Sequence, residues 1–239
     1  FNSANYILFI NYEDFFINIK KTIDKSSDTT CFFSGYDCDS LALETLTNFL
    51  DEFIDYFKNL KKGVLEIRSK STNIKVLLKK KALNNVIPAF SMNPNFIIKK
   101  FEDKTPNLYK RLHAIKTLQK MNWNVGLRFD PLIWEGTNDK YKRFFNSVFQ
   151  EINLKRIHSV TIGDFRMPSS YLKKISNIRS NDYFLQLENS RRVLGSEING
   201  SLVKNKKYCG NIINITYDQS SLSLMDRWMI QTINQFIED

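Results

Sequence analysis

The feature that most constrains this chain is an alternation of two periodicities. Short runs of β-branched and aromatic residues are separated by longer stretches whose apolar residues recur at three- and four-residue steps. A repeated strand-then-helix pattern of this kind builds a parallel sheet wrapped by helices. Tyr6-Ile7-Leu8-Phe9-Ile10 is continuously apolar and predicts a first strand covered on both faces. Residues 13–24 follow as a helix carrying Phe15, Phe16 and Ile19, and 29–36 as a second strand. Leu43, Leu46, Phe49, Leu50, Phe53, Ile54 and Phe57 then form one wide apolar stripe, which predicts a single long helix ending near Lys61-Lys62-Gly63. Further strands are expected at 64–69, 86–92, 125–129 and 160–165, and further helices at 74–83, 108–121 and 140–152. Pro94 is placed to start one more helix, where its missing amide hydrogen costs nothing. Beyond residue 182 the rhythm loosens, and 220–237 reads as a final amphipathic helix.

Periodicity does not distinguish a barrel from an open, doubly wound sheet. Both place their chemistry at the C-terminal ends of the strands. Those ends read Asn11, then Asp37-Cys38-Asp39-Ser40, Ser69-Lys70-Ser71, Ser91 with Asn93, Arg128 with Asp130, and Asp164 with Arg166. Polar groups at six successive ends predict one shared pocket. The two histidines, His113 and His158, are far apart in sequence, and His113 reads as structural.

The 239-residue chain is long enough to bury a core without disulfides or a structural metal. Its formal charge of +10 suits contact with phosphate backbones, as do the basic groups Lys79-Lys80-Lys81, Arg191-Arg192 and Lys206-Lys207. A solvated helix end explains the lysine triplet equally well. No run approaches the roughly 20 apolar residues of a membrane span, and no secretion signal is visible, so a cytoplasmic protein with no membrane association is expected. Cys31, Cys38 and Cys209 lack zinc or ferredoxin spacing and read as reduced thiols.

Four strand-end segments go further together than any does alone. They are Tyr36-Asp37-Cys38-Asp39-Ser40-Leu41-Ala42-Leu43-Glu44, Arg68-Ser69-Lys70, Ala89-Phe90-Ser91-Met92-Asn93-Pro94 and Gly126-Leu127-Arg128-Phe129-Asp130-Pro131. In this order and spacing they resemble the spore photoproduct lyase family of radical S-adenosylmethionine enzymes. The likeness continues through Phe101-Glu102, the 108–121 helix and Gly163-Asp164-Phe165-Arg166-Met167-Pro168, and is loose in the last third.

The resemblance implies an α/β fold, a partial (β/α)6 TIM-like barrel, over residues 1–180, with a small C-terminal extension at 181–239 that contributes substrate-binding elements. It also implies a [4Fe-4S] cluster, reductive cleavage of S-adenosylmethionine to a 5′-deoxyadenosyl radical, an electron donor, and DNA as substrate in lesion repair. The family holds its cluster in a C-x-x-x-C-x-x-C loop just before the segment that begins here at Tyr6. This chain opens at Phe1 without that loop, so an N-terminally truncated piece of a longer protein is expected. Cys31 and Cys38, on either side of a strand, do not replace three thiolates from one loop.

Carried over position by position, the family assigns Lys70, Ser91, Asn93 and Ser40 to the cofactor, the cation facing its carboxylate. Arg128 and Asp130 are candidates for the substrate, Asp130 accepting from the substrate or from Arg128, with a strand-end cap an equal reading of Asp130. Lys207 and Tyr208 are candidates from the basic C-terminal third, where the family's own substrate-gripping residues lie but do not match position by position. Repair enzymes of the family return a hydrogen atom to product from a cysteine, and Tyr36 occupies that position here. Cys38, two residues on, would share its face if the strand continued, so Tyr36 and Cys38 are the catalytic candidates. Cys38 as a small buried residue is the alternative. Two other functions stay open: a catalytically silent basic nucleic-acid-binding module, and a barrel enzyme holding a divalent metal with Asp37, Asp39 and Asp130.

Overall fold

The computed structural model describes residues 7–35, 38–132, 138–164 and 212–216. The described strands form one six-stranded sheet in sequence order: β1 (Thr30–Ser34), β2 (Gly63–Ser69), β3 (Val86–Ser91), β4 (Val125–Leu132), β5 (Ile157–Asp164) and β6 (Ile212–Thr216). The first five run parallel, and β6 returns antiparallel along β5. Helices α1 (Tyr12–Asp24), α2 (Glu44–Thr47), α3 (Phe49–Phe57), α4 (Lys75–Lys79), α5 (Asn95–Phe101), α6 (Leu108–Lys120) and α7 (Asn138–Glu151) fill the connections. This is the expected α/β, barrel-type fold.

Strand alternation sorts side chains onto two faces. Leu65, Ile67, Val86, Phe90, Val125, Leu127, Phe129, Val160 and Ile162 meet the helices in one continuous buried cluster with Phe57, Leu77, Ile115, Leu118, Trp123 and Phe145. Intervening residues face away from the helices: Glu66 and Arg68 on β2, Ala89 and Ser91 on β3, Gly126 and Arg128 on β4, Ser159 and Thr161 on β5. At His158 the β4–β5 register slips by one residue, because Val125 pairs with Ile157 while Gly126 pairs with Ser159. That bulge sets Ser159 beside Arg128.

Two expectations require correction. Residues 7–10 carry no regular secondary structure and are exposed, Ile10 at 83%. A strand needs a ladder partner, which apolarity alone does not supply; the run instead leads into α1, with Phe9 against Phe15 at 6.4 Å. The long helix expected at 43–61 is two helices, broken at Asn48, whose φ is +50°. The cause is Glu44: its buried carboxylate accepts from the backbone N–H of Leu50 at 2.9 Å and of Asp51 at 3.2 Å, capping α3 from the side. Burial pushes the Glu44 carboxyl pKa up despite these bonds. Strand β6 was not anticipated, although Ile212-Ile213-Asn214-Ile215-Thr216 carries an ordinary β-branched signal. The helix expected at 220–237 lies outside the described residues.

Candidate functional site

Site geometry starts from Gly35 at the end of β1, with φ +82°. A Cβ there would lie 2.3 Å from the Arg68 carbonyl oxygen and 2.5 Å from the Ser40 hydroxyl, so only glycine lets the chain turn this tightly against β2. The turn buries Ser40, whose hydroxyl is 2.7 Å from that of Ser34. Next to it, Asp39 binds two loops together. Its Oδ1 accepts from the N–H of Leu41 and Ala42 and from the Ser69 hydroxyl at 2.7 Å. Its Oδ2 accepts from the N–H of Lys70 at 2.7 Å and of Ser71 at 3.2 Å. A carboxylate with five donors is committed to the fold, which removes Asp39 from a divalent-metal set.

Through these bonds the loop after β1 fixes the backbone of Lys70, whose side chain reaches the ends of β3 and β4. Lys70 Nζ lies 3.8 Å from Glu102 Oε1, and the same oxygen accepts from Asn93 Nδ2 at 3.0 Å. Asn93 Nδ2 also donates to the Pro131 carbonyl at 3.2 Å. The other Glu102 oxygen pairs with Arg111, a fully buried arginine on α6 that donates from Nη1 to the Ser91 carbonyl at 2.8 Å. Asn93 Oδ1 is buried with no hydrogen-bond partner. Lys70 and Asn93 are thus brought together through Glu102, with the Ser91 carbonyl tied in by Arg111, while Ser40 lies at the end of β1 with its hydroxyl on Ser34. Asp130 is half-buried at the end of β4, and Cys38 is exposed in the loop after β1. Tyr36, Lys207 and Tyr208 lie outside the described residues.

Arg128 sits elsewhere than a substrate-facing role requires. It is buried in mid-strand and all five N–H donors are used within the fold. Nε and Nη2 donate to Glu66 at 3.0 and 2.7 Å, Nη1 to the Leu127 and Ser159 carbonyls, and Nη2 also to the Ser159 hydroxyl. Gly126 makes room, since a Cβ there would lie 2.8 Å from Arg128 Nη2. Arg68 adds two bonds to Glu66 Oε1. Burial alone would raise the Glu66 pKa, but the two guanidinium groups outweigh it and hold the carboxylate below its usual range. Neither Glu66 nor Arg111 was singled out from sequence. Glu66 was visible as a lone acid inside an apolar strand run, whereas nothing local marks Arg111.

S-Adenosylmethionine carries a carboxylate, an ammonium and ribose hydroxyls. The Lys70 cation and the unpaired Asn93 acceptor are groups that fit such a ligand. An iron–sulfur cluster does not fit the described residues, among which no group of three or more His, Cys, Asp or Glu side chains is placed to hold a metal ion. Among the described residues no helix is long and apolar enough to cross a membrane.

A partial α/β barrel whose strand ends gather a lysine, serines and an asparagine defines the class of barrel proteins that bind ligands at that rim. Within that class the sequence pattern of the spore photoproduct lyase family matches residues 2–195, and the chain belongs to that family. It is 25% identical over 155 residues to spore photoproduct lyase of Bacillus subtilis (strain 168), covering 61% of this chain and 45% of that protein. It is 23% identical over 158 residues to that of Geobacillus sp. (strain Y412MC61), covering 66% and 45%. The chain therefore spans less than half the length of these curated relatives. A spore photoproduct lyase variant solved with AdoMet and dinucleoside spore photoproduct superposes with a TM-score of 0.65 at 17% identity, covering 97% of this chain and 64% of that one. A second structure, spore photoproduct lyase complexed with dinucleoside spore photoproduct, gives 0.67 at 18%, again covering 97% of this chain and 64% of that one. These likenesses establish the fold.

Proposed function

We propose that this chain forms the S-adenosylmethionine-holding part of a radical lyase related to spore photoproduct lyase, acting on damaged DNA. The observation that carries this reading is the cluster at the ends of β2 and β3, where Lys70 and Asn93 share Glu102 Oε1 while Asn93 Oδ1 has no donor. Lys70 holds the ligand carboxylate, and Asn93 accepts from a ribose hydroxyl or the ammonium. Ser91 and Ser40 line the same rim. When bound alongside a [4Fe-4S] cluster, the cofactor supplies a hydrogen-abstracting radical on reductive cleavage. The cluster's thiolate ligands would come from outside the described residues, and its electrons from a separate donor protein. DNA as substrate is supported by the charge of +10 and by the dinucleoside lesion held by the structural relatives. Cys38 and Tyr36 remain candidates for returning a hydrogen atom to product, and Asp130, Lys207 and Tyr208 for gripping the substrate.

Isothermal calorimetry with S-adenosylmethionine tests the reading. Saturable binding that weakens about tenfold or more in Lys70→Met is expected, the size of one charge-assisted hydrogen bond. Absence of binding, or equal binding by Lys70→Met, overturns it. A second reading, a basic nucleic-acid-binding module without catalysis, rests on the charge alone. Salt-dependent DNA binding without cofactor binding would favour it.

A further inference from the structure

We propose that Glu102, clamped by Arg111, is a positioning residue that sets the polarity of the cofactor site by fixing which way the Asn93 amide points. The inference rests on the cofactor reading above and deepens it.

Asn93 is 1% exposed, so its amide cannot rotate to find water. Its Nδ2 faces two acceptors, Glu102 Oε1 at 3.0 Å and the Pro131 carbonyl at 3.2 Å. Turning the amide over would set Oδ1 against both oxygens, two repulsive contacts in place of two hydrogen bonds. The present orientation is therefore enforced, and it leaves Oδ1 as a buried acceptor with no donor. An unmade hydrogen bond of this kind is costly, and a ligand that brings an N–H or O–H relieves it.

Glu102 can enforce that orientation because it cannot move. The side chain of Arg111 is fully buried and donates from Nε to the Pro106 carbonyl at 2.9 Å, from Nη1 to the Ser91 carbonyl at 2.8 Å, and from Nη2 to Thr105 Oγ1 at 2.9 Å and to Glu102 Oε2. That arginine thus ties α6 to the end of β3 and presents the carboxylate edge-on to Asn93 and Lys70. Because the Glu102 charge faces two cations, Arg111 and Lys70, the cluster carries one net positive charge, suited to a ligand carboxylate. Glu102 itself makes no contact with the ligand in this scheme; it acts through Asn93.

A double-mutant cycle in S-adenosylmethionine affinity, read by calorimetry, tests this. Glu102→Gln keeps size and the Arg111 bond, but turns an amide N–H₂ toward Asn93 Nδ2 and removes the reason for its orientation. It is expected to weaken binding about tenfold or more, and Asn93→Ala by a similar factor. The double variant should lose no more than Asn93→Ala alone, because Glu102 has nothing left to orient. Multiplying losses, or unchanged affinity in Glu102→Gln, overturn the inference while leaving the cofactor reading intact. No binding by the unsubstituted protein removes the cofactor reading and this inference with it. Should Glu102→Gln fail to fold, Glu102→Asp serves: it keeps the charge for Arg111 but retreats from Asn93, and the same non-additivity is expected.

Discussion

Two polar clusters occupy this sheet, and they differ in how completely they satisfy themselves. In mid-strand, Glu66, Arg68, Arg128 and Ser159 close on one another. Glu66 receives two guanidinium groups and Arg128 spends all five donors within the fold. At the strand ends, Glu102, Arg111, Asn93 and Lys70 are equally well connected except at two points: Asn93 Oδ1 has no donor, and the Lys70 side chain is 36% exposed with a single long ion pair to Glu102. A closed cluster has nothing left to offer a ligand, whereas one with a spare acceptor and a spare cation does. This difference separates Arg128, which the sequence placed at the substrate, from Asn93, which it placed at the cofactor.

The sharpest way to break the comparison is to open the closed cluster. Arg128→Ala leaves Glu66 buried without its main partner and is expected to cost about 3–5 kcal/mol in urea unfolding. Replacing both partners, Glu66→Leu with Arg128→Leu, should recover much of that loss, because the penalty lies in the stranded charge rather than in the missing attraction. A loss below about 1 kcal/mol for Arg128→Ala would mean that Glu66 finds water or Arg68, and that the cluster is less closed than its hydrogen bonds indicate. Substitutions at the strand-end cluster, by contrast, are expected to register first in ligand affinity.

Gly35→Ala tests what joins the two regions. Its left-handed φ and the 2.3 Å approach to the Arg68 carbonyl leave no room for a methyl group, and the clash is with backbone. The expected cost is about 1–3 kcal/mol, measured by thermal or urea unfolding. Because Gly35 leads into Asp39, and Asp39 fixes the Lys70 backbone, weaker cofactor binding should accompany that loss. Full stability with intact binding would show that the loop can take another path.

What was legible in the sequence follows from what is local. Strands β2 to β5 and helices α1, α6 and α7 announced themselves, because each buries a face whose period can be read along the chain. Segment 7–10 did not, since an apolar run specifies burial without specifying a ladder partner. The break at Asn48 was hidden because it is imposed by Glu44, a side chain acting six residues away on Leu50. At the site, Lys70, Ser91 and Asn93 were singled out as cofactor candidates through a family likeness at strand ends. Their partners were not, because Glu102 and Arg111 lie in a loop and on a helix and meet Asn93 only after folding. Arg128 was misread for a related reason: its proximity to Glu66, 62 residues earlier, is a property of the sheet register and not of the strand.

The smallest expected effect is a pH dependence confined to the closed cluster. His158, at the β4–β5 bulge, lies 3.1 Å from the Ser159 hydroxyl. Burial first, and then the Arg128 cation, push its pKa below the ordinary 6.5, with Glu66 opposing. The unfolded chain therefore takes up this proton before the folded one does. The contribution of His158 to stability is fully present above pH 6.5 and is lost as pH falls through the folded value. Glu66, with its pKa lowered, adds a loss of the same sign, but only below its ordinary 4.5. Glu44, with its pKa raised, runs oppositely: its contribution is present below 4.5 and lost as pH rises through its folded value. Urea midpoints taken downward from pH 8 should thus hold until about pH 6.5 and fall below it because of His158, and the slope just below 6.5 should flatten in His158→Gln. An unchanged slope in that variant would place the titrating group outside this cluster and leave the bulge with a purely geometric role, seating Ser159 against Arg128.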